Sequence, residues 1–564
     1  MGKQVLTTVQ GETLAGTPWQ AYPRPQMKRQ SWQNLNGQWE FTVSRENTLP
    51  THYDRTILVP FAPESRLSGV GEHFPEGSYL FYRREFQVEL PKNGRFLLHF
   101  GAVSQYAEIY VNQNLVGAHR GSYEAFCLDI THLLCENNEL VVRVKSDLDD
   151  PTMPYGKNVK NPGGMWYTPV TGIWQTVWGE WVPENHIESL DIQVTLTSAT
   201  ITVNPTLNGQ VEVEGKIYPL VDGKAVVTPE EPHLWTPEDP YLYNFTLTTG
   251  EDQVESYFAL RTLEIREVKG LARLCLNAEP YFFHGLLDQG YWPDGIFTPA
   301  KPACYAKDIL EMKRLGFNTL RKHIKVEPGD FYYQCDRLGM VVFQDMVNNG
   351  DYNFLRDTAL PTFFRQKKDD RRMHRDPRCR EAFLEGMEAT VKQLKNHPSI
   401  CYWTIFNEGW GQFDGTAAYE KLKALDSSRF IDSASGWFRG CQSDVESLHI
   451  YFDMWHRMKK FSKPIALSEF GGFAYSVERH IYNPDKVYGY GTCKTVQELD
   501  KKLLALYEKH VIPQVKNGLC AAIYTQVSDV EDEINGLVTY DRKVIKAKKE
   551  TMRRIAQALQ KEIK

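Results

Sequence analysis

From about residue 266 onward the sequence settles into one rhythm: a short apolar run, an amphipathic helical stretch, then another apolar run. Eight such runs occur, at 281–289, 318–324, 341–346, 400–408, 430–435, 447–452, 464–470 and 521–527. Runs this short and this apolar suit strands covered on both faces, the condition of a parallel sheet flanked by helices. The segments between them carry helical signals. Phe383, Met387, Val391 and Leu394 recur at spacings of four, four and three and so share one helix face. Thr495 and Glu498 form a capping box ahead of Leu499, Leu503 and Leu506. Eight strands alternating with helices over 266–564 predict a (β/α)8 TIM barrel.

A chain of 564 residues is too long for one hydrophobic core, and its first half has a different rhythm. Residues 1–182 alternate apolar and polar side chains at 95–100, 106–111 and 139–144, with turn signals such as Asn36-Gly37 and Asn93-Gly94 between strands. That pattern predicts a jelly-roll β-sandwich. Residues 183–265 hold further short strands and Pro-rich turns, which suit an immunoglobulin-like β-sandwich. The expected fold class is therefore multidomain, β followed by α/β.

A net charge of −6 and a pI near 6.2 argue against nucleic acid as a partner. No run approaches the roughly 18–20 apolar residues of a membrane span, and the first residues lack the apolar core of a secretion signal. No membrane partner and a cytoplasmic address are expected. Ten cysteines without any C-x-x-C spacing read as free buried thiols, not as a metal site or disulfide framework.

In a barrel of this kind, chemistry sits at the carboxyl ends of the strands. The run at 400–408 ends on Asn407 and Glu408, and Glu469 stands near the end of the run at 464–470. An apolar strand has no structural use for an acid there. Either glutamate alone could cap a loop or pair with an arginine; two at the ends of different strands point to acetal hydrolysis. That reaction needs one carboxyl protonated for the leaving oxygen and one ionised for the anomeric carbon. Burial and mutual repulsion raise one pKa while hydrogen-bond donors hold the other down. Asn407 can hydrogen-bond a sugar 2-hydroxyl. Trp410, Tyr291, Trp292, Trp437 and Tyr524 follow or end strands, where rings stack on apolar sugar faces or simply pack the core. Asp288 and Asp345 end the first and third runs within reach of sugar hydroxyls. Asp529, Glu531 and Glu533 make the loop after the eighth run acidic; Asp529 is a candidate substrate contact, solvated loop is the alternative for all three, and Glu531 is read as solvated.

These residues carry a resemblance to glycoside hydrolase family 2, which includes β-galactosidases, β-glucuronidases and β-mannosidases. Residues 403–408 resemble the family's acid/base strand and 464–471 its nucleophile strand. Residues 316–321 resemble the second barrel strand, 335–342 the helix and strand that follow, and 257–262 the segment closing the second domain. Together they span nearly the whole chain in the family's order. The resemblance implies a sugar-binding jelly roll, an immunoglobulin-like domain and a catalytic barrel. It further implies a retaining exo-β-glycosidase, with Glu408 as acid/base and Glu469 as nucleophile. Arg321 is similar to the arginine beside that nucleophile, and Tyr451 resembles the tyrosine that hydrogen-bonds it. The implied partner is a small carbohydrate or glycoconjugate, and a homo-oligomer is compatible with the fold. The metal ligands of the family's large β-galactosidases have no clear counterpart at 409–412, so neither metal nor organic cofactor is expected.

Substrate charge is where the resemblance departs. The family's β-glucuronidases place Asn-x-Lys after the last strand to hold the uronic carboxylate. The corresponding stretch here is Glu533-Ile534-Asn535-Gly536, without the lysine and with a carboxylate beside its place. Repulsion of a uronide follows, and a neutral β-galactoside-like sugar is the leading expectation. The histidines of the β-galactosidases are not in register either, Gln289 and Ile324 standing near their places. Lys322, His323 and Lys325 offer a different carboxylate site, as a β-hexuronidase would need, or else pair with Asp330, Glu327 or another barrel carboxylate. Pairing is the expectation. Strand alternation sends Arg321 and His323 to one side, Lys322 to the other. The rival from another class is an inactive carbohydrate-binding protein, which loss of either glutamate would favour; both are present.

Overall fold

A computed structural model describes residues 3–89, 93–363, 369–451, 455, 458 and 460–564. The barrel strands are β1 (Phe283–Asp288), β2 (Thr319–Lys322), β3 (Val341–Asp345), β4 (Ile400–Asn407), β5 (Phe430–Ser435), β6 (Glu446–Ile450), β7 (Ile465–Phe470) and β8 (Leu519–Tyr524). They pair in parallel in the order β5-β4-β3-β2-β1-β8-β7-β6, a nearly closed TIM barrel. Every position of β2, β3, β4, β5, β7 and β8 is buried. Packing on both faces is why their sequences show apolar runs instead of alternation. Phe452, from the sixth run, lies outside the described residues.

The helices of ten residues or more are α1 (Ala303–Leu315), α2 (Gly329–Leu338), α3 (Pro377–Leu394), α4 (Gly415–Leu425), α5 (Val496–Leu506) and α6 (Lys549–Ile563). The stripe Phe383, Met387, Val391 and Leu394 is buried along α3, each side chain contributing about 1.5–3 kcal/mol of apolar burial. At α5 the Thr495 hydroxyl accepts from Glu498 N at 3.1 Å. The reciprocal bond comes from Lys494 N, 2.8 Å from Glu498 Oε2, one residue ahead of the cap.

Two antiparallel sheets precede the barrel and enclose one core. One orders the strands Trp32–Asn34, Val177–Val182, Arg95–Phe100 and Phe126–Asp129; the other is seven-stranded and centred on Asn137–Lys145 and Tyr79–Gln87. A three-stranded and a four-stranded sheet follow over 189–258 and share a second core, an immunoglobulin-like arrangement. The sequence reading missed one element, the meander Leu263–Val268, Leu271–Leu276 and Glu279–Pro280. Its signal is Lys269-Gly270, both left-handed at φ 53° and 74°, as a two-residue hairpin turn requires. The meander covers the start of β8, where Arg273 Nη1 donates to Leu519 O at 3.2 Å.

All ten cysteines are free, but Cys127 and Cys135 are exposed and Cys441 is half-buried, against the expectation of buried thiols throughout. Among the described residues, no helix is long and apolar enough to cross a membrane.

Asp330, considered above as a partner for the basic cluster, makes no ion pair with it. It is buried in the first turn of α2, and burial pushes its carboxyl up to about 7. The folded state thus binds a proton that the unfolded chain, with an ordinary carboxyl near 3.8, has already released. Stability should fall as pH rises from about 4 to 7 and stay low above that. Asp330→Asn should remove this dependence. We expect its melting temperature to exceed the wild type's by about 2 °C or more at pH 8 and to match it near pH 4. Equal shifts at both pH values would refute the assignment.

Candidate active site

Glu408 follows β4 directly, with a left-handed backbone (φ 50°) that bulky residues adopt only under constraint. Its backbone N–H donates to Ser435 O at 2.9 Å, which ties the turn to β5. Glu469 stands one residue before the end of β7. Glu408 and Glu469 are 9% and 5% exposed, and an oxygen of each lies within 4.8 Å of an oxygen of the other.

Their surroundings differ. Arg321 Nη1 donates to Glu469 Oε1 at 3.0 Å, and the Tyr451 hydroxyl donates to Oε2 at 2.6 Å. Burial pushes the Glu469 carboxyl up, but the charges of His449, Arg321 and His323 and the Tyr451 hydroxyl outweigh it and leave it below its ordinary range. Arg321 is itself fixed by Asp345 Oδ1 at 2.9 Å and Asn407 Oδ1 at 2.9 Å. His323 Nδ1 meets the other Asp345 oxygen at 2.8 Å. Asp345, offered above for sugar hydroxyls, therefore orients Arg321 and His323; burial pushes its carboxyl up, but these two neighbours outweigh it and leave it below its ordinary value. Asn407 accepts from Arg321, which leaves its Nδ2 free. Among the described residues, Nδ2 of Asn407 and the indole nitrogens of Trp410 and Trp437 are buried donors without a protein partner. Such groups are rare unless a ligand or water meets them.

His449 was not singled out from the sequence. Its Nδ1 lies 2.9 Å from Glu408 Oε1 and 3.5 Å from Glu469 Oε2, and its Nε2 lies 2.9 Å from Ser435 Oγ. The signal was available, because His449 and Tyr451 are two residues apart at the end of β6 and so share a face. Glu408, His449 and Glu469 also have the spacing of metal ligands; a second such cluster among the described residues, Glu76, Asp147 and Asp149, lies at the surface with Lys160 already bridging two of its members.

Three expected sugar ligands have other occupations. Asp288 pairs with Lys322 Nζ at 2.7 Å and accepts from Gly290 N. Asp529 pairs with Lys546 Nζ at 2.7 Å and accepts from Gly536 N, with burial raising it to about 6. Tyr524 is fully buried, its ring against the Gly471 turn and its hydroxyl accepting from Phe473 N at 3.0 Å, so it supports the loop after Glu469 and offers no platform. Trp292 packs beneath Arg542, and Tyr291 against Tyr167. Trp410 does stand at the site, 5.2 Å from the Trp166 ring and close to His323. Lys322 and Lys325 both bind Glu327, at 2.8 and 2.9 Å, and Lys325 also donates to two backbone carbonyls. The pairing expected for them is what the structure holds. Glu531, read as solvated, is buried and accepts from Thr168 N at 2.9 Å.

The chain matches three family models in order: "Glycosyl hydrolase 2 galactose-binding domain-like" over 76–162, "Glycosyl hydrolases family 2" over 184–261 and "Glycosyl hydrolases family 2, TIM barrel domain" over 301–560. A β-galactosidase of Actinobacillus pleuropneumoniae is 24% identical over 75% of this chain and 46% of its own. The chain spans about half the length of the first relatives it matches. Among solved structures, a β-glucuronidase of an uncultured Clostridium sp. superposes with a TM-score of 0.73, at 18% identity, over 95% of this chain and 99% of that one. A GH2 β-galacturonidase from Eisenbergiella tayi gives 0.69 at 20% identity, over 95% and 98%. At these identities the superpositions establish a shared fold. With matched domains following one another in the family's order from the first sandwich through the barrel, the chain belongs to glycosyl hydrolase family 2.

Proposed function

We propose that the protein is a retaining exo-β-glycosidase that removes a terminal β-linked sugar by double displacement. The observation that carries this reading is the approach of the Glu408 and Glu469 oxygens to within 4.8 Å. Retaining enzymes hold their carboxyl groups about 5–5.5 Å apart, whereas inverting ones leave about 6.5–9.5 Å for a water. Glu469, kept ionised by Arg321 and Tyr451, attacks the anomeric carbon as Glu408 protonates the departing oxygen. Glu408 then takes a proton from water, which displaces Glu469 and restores the β configuration. Asn407 Nδ2, free to donate, suits the sugar 2-hydroxyl, a contact that tightens in the transition state. The burial of both carboxyls favours a single chain-end sugar over an internal one.

The relatives named above divide between neutral and acidic sugars. The expectation of a neutral β-galactoside-like substrate rested on Glu533 repelling a carboxylate. That ground is weakened, because the Tyr167 hydroxyl and Asn535 Nδ2 engage the Glu533 oxygens and burial pushes its carboxyl upward.

Proton NMR of early hydrolysis tests the stereochemistry. The first sugar released from a β-glycoside should be the β anomer, followed by mutarotation. An α anomer appearing first would sink the retaining mechanism.

A further inference from the structure

The loop between the strands Asn137–Lys145 and Gly172–Ile173 leaves the first sandwich and reaches the barrel. Tyr155 N donates to Asn348 O at 3.0 Å, and Gly350 N to Pro151 O at 2.7 Å. Gly156 is left-handed (φ 59°), and a Cβ there would lie 2.7 Å from Ile324 O, just past β2. Only glycine lets the chain pass this close. Asn158 locks the other side, donating to Tyr155 O at 2.8 Å and accepting from Val170 N at 3.1 Å. Between these two anchors stands Lys157.

Four lysines are buried: Lys157, Lys322, Lys325 and Lys546. The last three each bind a carboxylate within 3 Å. Lys157 is 6% exposed, and its ammonium makes no hydrogen bond or ion pair among the described residues. It lies over the Trp410 ring at 4.8 Å and the Trp166 ring at 5.4 Å. Cation–π contact offsets only part of the cost of burying such a charge. Burial pushes its pKa down, opposed by Glu533, Glu469 and Glu408, whose fields reach it without any of them coming within ion-pair distance. Each of those three carboxylates has other partners: Arg321 and Tyr451 on Glu469, His449 on Glu408, Tyr167 and Asn535 on Glu533. A positive charge beside the two reacting carboxyls is thus left without an anion.

Building on the glycosidase reading, we propose that Lys157 binds a carboxylate on the terminal sugar, so that the substrate is a β-hexuronide. The indole N–H of Trp410, an unpaired donor in the same corner, suits the same anion. A neutral hydroxyl would leave the ammonium uncompensated. The cation that recognises the substrate then comes from the first sandwich, not from the barrel loop that bears Glu533.

The test has two arms, each with wild type, Lys157→Met and Lys157→Arg. The first compares kcat/KM on nitrophenyl β-glucuronide and β-galacturonide with nitrophenyl β-glucoside and β-galactoside. The second compares binding of free glucuronate and galacturonate with glucose and galactose by calorimetry. Wild type should prefer an acidic sugar in both. Lys157→Met should lower the acidic-to-neutral ratio of kcat/KM about 10- to 150-fold, the loss of one charge-assisted bond, and Lys157→Arg should restore most of it. Preference for neutral sugars in wild type, or a ratio that Lys157→Met leaves unmoved, would overturn the proposal while sparing the glycosidase reading. Hydrolysis of none of the four would sink the glycosidase reading instead. The binding arm then still decides Lys157, since equal binding of acidic and neutral sugars overturns its role. Should Lys157→Met fail to fold, the wild-type preference and Lys157→Arg carry the decision.

Discussion

Replacing Glu469 with glutamine should lower kcat/KM by roughly 10^4- to 10^6-fold on every glycoside the wild type cleaves, the scale seen when a covalent nucleophile is removed. The amide keeps the shape: its oxygen can still accept from Arg321, now 3.0 Å from Glu469 Oε1, while its NH2 takes the place of Oε2 and can donate to the Tyr451 hydroxyl, now 2.6 Å away. It has no charge with which to attack the anomeric carbon. Arg321 retains Asp345 as a counter-ion at 2.9 Å, so the buried guanidinium is not stranded and the fold should survive. Steady-state rates on a nitrophenyl substrate, set beside a thermal melt of the same sample, make the comparison. Activity above about one hundredth of wild type in a folded variant would show that Glu469 is not the nucleophile.

Glu408→Ala should behave differently from one leaving group to another. Loss of a general acid costs about 10^2- to 10^4-fold when the departing oxygen needs a proton. It costs little in the first step when a dinitrophenolate leaves unaided. The second step then stalls because nothing deprotonates water. Azide needs no such help, and adding it should restore turnover and yield the β-glycosyl azide. A β-azide formed by Glu469→Ala, with Glu408→Ala unresponsive, would reverse the two roles. Removing Glu408 takes away the carboxylate 2.9 Å from His449 Nδ1 but leaves the ring Glu469 Oε2 at 3.5 Å and Ser435 Oγ at 2.9 Å.

The barrel was legible because burial on both faces writes itself into composition: before Asn407, β4 is apolar or aromatic at every position but Thr404, and an acid immediately after such a strand has few structural uses. Alternation separated Arg321 and His323 from Lys322 for the same geometric reason. His449 was legible by parity with Tyr451 but easy to pass over, since a single histidine in an apolar strand resembles a core residue. Lys157 could not be found this way. What distinguishes it from Lys322 and Lys325 is the lack of a hydrogen-bond or ion-pair partner among the described residues, and partnership is decided by which chain segments meet in space. Glu533 misled for a related reason. A charge read from sequence is assumed ionised and open, whereas this carboxyl is enclosed by Tyr167 from a distant strand connection.

Surface loops ordinarily accept insertions and deletions independently of one another. Here the connection at 146–171 is bonded to two barrel loops at once: Tyr155 to Asn348 after β3, and Tyr167 and Thr168 to Glu533 and Glu531 after β8. A change of length in any of them would displace the others. The three segments should therefore drift together over evolution, and a lineage that altered one would need compensating changes in another domain. A barrel transplanted onto a different sandwich would carry both glutamates with it and leave behind Lys157, Tyr167 and Thr168, which come from the first sandwich's loop.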